Sequence, residues 1–216
     1  MTAVSIAFKL LIDQIENSLN KKIVLEEKTK AELNYLRAQI NPHFLFNTLN
    51  NITALIHINP DKAEQSIIKL SKIMRAMLNS GTHQKIELAT EIELLNSYVD
   101  LQKIRLNEDT QLNYSVTGNL KSLFIEPLIL INFIENVFKH GVGEGKNIIS
   151  VNISVNENLL HLTTENKITS DKKDDTSGIG MVNVKKRLNI VYKDKYRLTI
   201  SSSNSIYKVN LVLELT

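Results

Sequence analysis

Cysteine is absent from this chain of 216 residues, so it can form neither a disulfide nor a thiolate metal site, and that absence suits a cytosolic compartment. Long hydrophobic runs are missing too. No stretch approaches the roughly 18 to 20 apolar residues of a membrane span; the nearest, from Ser5 to Ile12, is short and carries Lys9. No secretory signal is visible. Charge of one sign is not concentrated either. The formal net charge is +3 and the only basic runs are Lys172-Lys173 and Lys185-Lys186-Arg187, so nucleic acid is not an implied partner. There is no internal repeat and no Gly-Lys-Ser/Thr phosphate loop. At 43% hydrophobic residues the chain can bury one good-sized core or two smaller ones, and two domains fit better.

Among what is present, the run from Arg37 to Asn51 places one histidine beside a proline inside an apolar, helix-patterned segment. At about 100° per residue, Leu45, Leu49, Ile52 and Ile56 form a core stripe, with His43, Asn47, Asn50 and Asn51 on the other side. Asparagine is a poor helix former, so a face that collects an imidazole and several amides points to a site rather than to stability. Taken alone, His43 has a plainer alternative as a surface or capping residue, and Pro42 as a simple kink.

A second segment runs from Glu126 to Gly141. Leu130, Phe133, Ile134, Val137 and Phe138 make a helical apolar stripe, while Asn132, Glu135, Asn136, Lys139 and His140 line the opposite side. Such a face can hold a magnesium nucleotide. The amide oxygen of Asn136 is a hard ligand for Mg²⁺, Lys139 and His140 can meet phosphate oxygens, and Glu135 can orient or deprotonate a nucleophile. An ordinary amphipathic helix with a solvated face is the alternative. In a third segment, Gly178 and Gly180 precede the helical pattern Met181, Val184, Leu188, Val191, where backbone amides at a helix N-terminus can approach phosphate.

Gln39 to Asn47, Ile134 to Gly141 and Ser177 to Leu188, in that order, resemble the LytS/YehU-type sensor histidine kinases of two-component systems. The resemblance covers about residues 30 to 216. It implies an α+β chain: a helical dimerisation and histidine phosphotransfer region over 1–106, then an ATP-binding α/β sandwich of the Bergerat, or GHKL ATPase, type over 107–216. It makes His43 the phosphoacceptor, 135–140 the N box with Asn136 as the Mg²⁺ ligand, and Gly178 and Gly180 the phosphate-lid glycines; Asn132, Lys139, His140 and Asn183 join them against the nucleotide. It further implies ATP and Mg²⁺ as cofactors, a homodimer, and transfer to an aspartate of a response regulator receiver domain. Members of that family carry transmembrane helices upstream, so the chain is expected to be a soluble cytoplasmic portion of an inner-membrane sensor.

The sequence departs from that pattern twice. Phe44 stands where many histidine kinases place an acid to take the proton of the phosphoacceptor, which leaves Asn47 or a residue of the nucleotide domain to help. No Asp-x-Gly box is present; the nearest candidate to receive the adenine amino group is Asn166, through its amide oxygen.

The expected chemistry is in-line attack of a neutral His43 nitrogen on the γ-phosphorus, with Lys139 and the Gly178 to Gly180 backbone stabilising the developing charge. Activity should fall below the imidazole pKa, whose unperturbed value is about 6.5. Two other classes compete: a GHKL ATPase or serine kinase, which would not need His43, and a catalytically silent dimeric ATP-binding scaffold, favoured by Phe44 and the missing Asp-x-Gly box. Acid lability of the phosphorylated product separates histidine from serine.

The remaining organisation follows from periodicity. Residues 3–57 read as a long helical stretch, with Ile12, Leu19, Leu33 and Ile40 at one heptad position, Phe8, Ile15 and Leu36 at its partner, and Lys22, Glu26 and Thr29 interrupting the seam. A parallel coiled coil and a solvated helix packed within one chain are both compatible with it. Asn59-Pro60-Asp61 opens a second helix bearing Ile67, Leu70, Met74 and Met77, which should form a helical hairpin with the first and end near Gly81. Thr90-x-x-Glu93 reads as a capping box opening a third helix, with Ile92, Leu95, Val99 and Leu106 facing inward. Beyond it, antiparallel strands are expected around Leu112 to Val116, Ile149 to Val155, Leu159 to Thr164, Tyr196 to Ser202 and Ile206 to Leu213, with helices on one face and a turn at Asn204-Ser205. Leu106 to Thr110 should link the domains, and Thr169 to Ser177 should form a mobile loop over the nucleotide.

Overall fold

The computed structural model describes residues 42–79, 85–143, 145–168, 179–203 and 205–216, with a few more between 14 and 28. The chain forms two compact units, Met1–Leu45 and Phe46–Thr216. In the first, the described residues between 14 and 28 are helical, and Leu19 and Lys22 are exposed. The other seam residues named above, from Phe8 to Ile40, lie outside the described residues.

Helix α1 spans Pro42–Ile58. Proline is tolerated at the first helical position, where its missing N–H has no intrahelical partner in any case. Its buried residues are Phe44, Thr48 and Ile52, while Leu49 and Ile56 are exposed at 49% and 47%. The stripe expected at Leu45, Leu49, Ile52 and Ile56 is therefore rotated by about one residue, roughly 100°.

Helix α2 covers Pro60–Asn79 and is capped as expected, the N–H of Lys62 donating to Asn59 Oδ1 at 3.0 Å. It buries Ala63, Ser66, Leu70, Ile73 and Met77 and exposes Ile67 and Met74, two residues expected inside. It packs on helix α3, Leu88–Lys103. Lys69 to Asp100 and Lys72 to Glu93 ion pairs, each 2.7 Å, border that contact.

Helix α3 starts before the expected capping box. Its N-cap is Glu87 with no side-chain bond, and the Leu88 N–H donates to the Leu123 carbonyl at 2.8 Å. The reason is tertiary. The short strand β1, Ile86–Glu87, pairs with β3, Phe124–Ile125, and that pairing fixes where the helix can begin. Thr90 then lies inside the helix, Ile92, Leu95 and Val99 are buried as expected, and Leu106 lies past the helix end and is half-buried.

Five strands make the main sheet: β2 Thr110–Gly118, β4 Asn147–Asn156, β5 Leu159–Lys167, β6 Tyr196–Ser203 and β7 Ile206–Glu214, in the order β2-β4-β5-β7-β6. All neighbours are antiparallel except β2 and β4, which are parallel. The wholly antiparallel sheet expected from the sequence is corrected by the crossover that a parallel pair requires, and this one contains helix α4, Ile129–Gly141.

Burial alternates along the strands. Asn147, Ile149, Val151, Ile153 and Val155 of β4, Leu160, Leu162, Thr164 and Asn166 of β5, and Val209, Leu211 and Leu213 of β7 are inside. Helix α4 packs on β4 and β5 and touches both α3 and α5, Ile179–Val191, completing the expected α/β sandwich. Ser205, at φ 58°, supplies the left-handed residue of the last hairpin turn. Among the described residues, no helix is long and apolar enough to cross a membrane.

Candidate functional site

Helix α4 separates its residues as its periodicity demands. Leu130, Phe133, Ile134, Val137 and Phe138 are buried, whereas Asn132, Glu135, Asn136 and His140 are half-buried and Lys139 is exposed. Asn132 also serves its own helix, its Nδ2 donating to the Leu128 carbonyl at 2.9 Å. Glu135 lies close enough to α3 for its charge to act on Tyr98. The Tyr98 hydroxyl is pushed up, first by burial and then by Glu135, and its ring meets Phe138 edge-on at 6.5 Å. Buried Gln102 donates to that hydroxyl at 2.8 Å.

The C-terminal end of α4 closes onto the sheet at Asn166. A Cβ placed on Gly141 would lie 2.8 Å from the Asn166 Cβ and 3.0 Å from Ile149 Cγ1, so only glycine permits this approach. Asn166 is 2% exposed; its Nδ2 donates to the Lys167 carbonyl at 3.0 Å, while its Oδ1 is buried with no hydrogen-bond partner. Two residues earlier on the same strand face, Thr164 Oγ1 is also buried and unpartnered. Buried acceptors are normally satisfied, and one that is not invites a donor. An amide oxygen is the right kind of atom to receive an exocyclic amino group.

On α5, Val184 and Leu188 are buried, Met181 and Val191 half-buried, and Asn183 exposed. A side chain at Gly180 would meet nothing within 4 Å among the described residues, so packing does not account for this glycine. Gly178 and the segment 169–177 lie outside the described residues. Arg187 of α5 is held by Glu126: its Nε and Nη2 donate to Glu126 Oε1 at 3.2 and 2.8 Å, and Nη2 also donates to the Pro127 carbonyl at 2.7 Å.

The structure thus brings Asn132, Glu135, Asn136, Lys139 and His140 onto one side of α4, sets Asn166 against the end of that helix, and packs α5 with Gly180 and Asn183 beside it. His43 and Asn47 stand on α1, where Asn47 is half-buried. Among the described residues, no three His, Cys, Asp or Glu side chains cluster to hold a metal unaided. The donor type that fits Mg²⁺ here is an amide oxygen such as that of Asn136, with phosphate oxygens and water completing the shell.

Four residues escaped the sequence reading: Glu91, Glu126, Arg187 and Tyr192. Glu91 is fully buried, and burial pushes its carboxyl up to about 7 against two backbone hydrogen bonds and Arg187, which favour the charged form. The one sequence signal was its place among the inward positions of α3, between Leu88 and Leu95. The N–H of Glu126 donates to the Tyr192 hydroxyl at 2.8 Å, and burial pushes that hydroxyl up to about 12.

Comparison with known proteins relates the chain to histidine kinases. A family model described as histidine kinase matches residues 31–110. The sensor protein LytS of Staphylococcus epidermidis is 32% identical over 190 residues, covering 81% of this chain and 32% of that protein. The sensor histidine kinase BtsS of Escherichia coli is 32% identical over 182 residues, covering 83% of this chain and 32% of that protein. Among solved structures, the Acinetobacter baumannii histidine kinase AdeS aligns over 88% of this chain and 98% of its own at 13% identity, with a TM-score of 0.45. The chain spans about a third of the length of the curated relatives it matches.

Proposed function

This chain belongs with the LytS-type sensor histidine kinases, to which it is related over four fifths of its length, and we propose that it is the ATP-binding and phosphoacceptor portion of such a kinase. It phosphorylates His43 from ATP and passes the phosphoryl group to an aspartate on a response regulator. The observation that carries this reading is the unpartnered, buried Oδ1 of Asn166 where α4 meets the sheet, beneath a helix whose other side bears an acid, two amides, a lysine and a histidine. Asn166 receives the adenine amino group, and Lys139, His140, Asn132 and Asn183 contact the nucleotide with the backbone at Gly178 and Gly180. Asn136 would hold Mg²⁺, which would supply neutralisation of phosphate charge.

At His43 the nucleophile is a neutral imidazole nitrogen. Transfer is mainly a matter of positioning and charge stabilisation, so the residues that align donor and acceptor supply most of the catalysis. Asn47, one helical turn from His43 on α1, orients the ring, and Glu135 orients the attacking group or takes its proton.

Residues 1–106 act as the dimerisation and phosphotransfer region and 107–216 as the nucleotide-binding region. Helix α3 is the joint, since it packs on both α2 and α4. A second copy of the chain is the partner for α1, which leaves Phe46, Leu49 and Ile56 exposed.

The test is incubation of the wild-type and His43→Gln chains with γ-labelled ATP and Mg²⁺. Acid-labile label on the wild type and none on His43→Gln, with ATP binding retained by both, is the expected result. Equal labelling of both, or label that survives mild acid, refutes the assignment. ATP binding with no labelling of either chain leaves the silent scaffold as the correct reading.

A further inference from the structure

Helix α4 begins without a residue able to cap it. Its N-cap is Leu128, in the left-handed region at φ 60°, ψ 18°, with a side chain that offers no oxygen. Left-handed backbone on a leucine is uncommon and persists only where the surroundings hold it. The cap arrives instead from α3. Glu91 Oε2 accepts the Leu128 N–H at 2.8 Å and Oε1 accepts the Leu130 N–H at 3.2 Å. One carboxylate thus satisfies two donors at the positive end of the helix dipole.

The two residues just before Leu128, Glu126 and Pro127, are gripped by α5 and the segment that follows it. Arg187 binds the Glu126 carboxylate and the Pro127 carbonyl, and the Tyr192 hydroxyl accepts the Glu126 N–H. The charged and titratable groups acting on Glu91 are Arg187 and Glu126, and Glu91 in turn acts on Tyr192. A buried carboxylate is a costly way to hold two helices together, since apolar packing does that without desolvating a charge. What it adds is direction: two N–H groups in fixed geometry set both the rotation and the axial position of the helix they begin.

We propose that Glu91 and Arg187 are positioning residues for nucleotide binding, fixing the phase of α4 against α5 so that the polar side of one and the N-terminus of the other meet the same nucleotide. This rests on the reading of α4 and α5 as walls of the ATP site. A slip of one residue would turn Asn136 by about 100° and carry its amide away from the phosphates. Because Glu91 belongs to α3, a shift of α3 along its axis would pass directly to the first turn of α4.

The experiment uses the full chain with Glu91→Gln, Glu91→Asp and Arg187→Lys, reading Mg²⁺-ATP affinity by calorimetry, thermal unfolding, and the amide signals of Leu128 and Leu130. Glutamine turns an NH₂ toward one of the two N–H groups, so Glu91→Gln should weaken ATP binding by about tenfold or more in a folded protein, the scale expected of a small misplacement. Glu91→Asp keeps the carboxylate on a shorter arm and should fall between. Arg187→Lys loses the Pro127 bond and should weaken binding severalfold. In the wild type the Leu128 and Leu130 amides should titrate together near neutral pH, and in Glu91→Gln they should not.

Lower unfolding temperatures with unchanged ATP affinity in the folded variants would make the pair merely structural and overturn the proposal. If Glu91→Gln does not fold, Arg187→Lys decides alone: unchanged affinity there also overturns it. A wild-type chain that binds no nucleotide would instead refute the reading of the site.

Discussion

Gly141 lies directly against Asn166: a Cβ on the glycine would sit 2.8 Å from the asparagine Cβ, inside any tolerable contact. The end of α4 and the base of the proposed nucleotide site are therefore one packing unit. Gly141→Ala should push Asn166 or the helix end aside and lower stability by about 1 to 3 kcal/mol, the usual range for overpacking. Calorimetric titration with ATP should show weaker binding in parallel. A variant as stable as the wild type and with unchanged affinity would show that the contact relaxes freely.

If Asn166 Oδ1 receives the adenine amino group, the chain should prefer ATP to inosine triphosphate, which carries a carbonyl at that position. The preference should be about tenfold, since the alternative leaves two buried acceptors facing each other. Asn166→Ala should bind both nucleotides alike. Competition titrations check this, and a preference that survives the substitution would assign adenine reading to another residue.

The buried Glu91 makes a signed prediction about pH. Its carboxyl is raised from 4.5 to about 7 by burial, so between those values the folded chain keeps a proton that the unfolded chain has released. Its contribution to stability is then full below about pH 4.5 and is lost as pH rises through 7. Measured against Glu91→Gln, which cannot ionise, the wild type should lose stability over that window by at most about 3 kcal/mol. Denaturant unfolding of both proteins at several pH values tests it. A difference independent of pH, or one that grows as pH rises, would contradict the assignment.

Phe46 and Leu49 stand exposed on α1 at 68% and 49%. If a second copy covers them, replacing both with glutamate should weaken dimerisation by at least about tenfold, because each large apolar side chain buried contributes on the order of 1.5 to 3 kcal/mol. Light scattering over a concentration series reads the outcome. A wild-type chain that stays monomeric at high micromolar concentration would remove the dimer, and an unaffected double variant would move the interface elsewhere.

What this sequence determined by itself is whatever repeats locally. The sorting of Leu130, Phe133, Ile134, Val137 and Phe138 from Asn132, Glu135, Asn136, Lys139 and His140 needs only the helical period. The alternation that buries Ile149, Val151 and Ile153 needs only the pleat, and Asn59 before Pro60 is enough to cap α2. Asn166 could be named as an acceptor because its residue type limits what its oxygen can do.

Tertiary structure alone decided the rest. The face that α1 buries depends on what lies beside it, so its stripe fell one residue from the expected one. Thr90 and Glu93 satisfy a local capping pattern, yet α3 starts at Leu88 because β1 pairs with β3. The parallel β2–β4 pair follows from a crossover that no strand pattern announces. Above all, the clamp on the start of α4 joins residues 37 and 61 positions apart, Glu91 to Leu128 and Glu126 to Arg187. Glu91, Glu126 and Arg187 read singly are ordinary charges on a helix or loop, and only the fold withdraws them into the interior, where an unpaired charge is costly and its partner becomes obligatory.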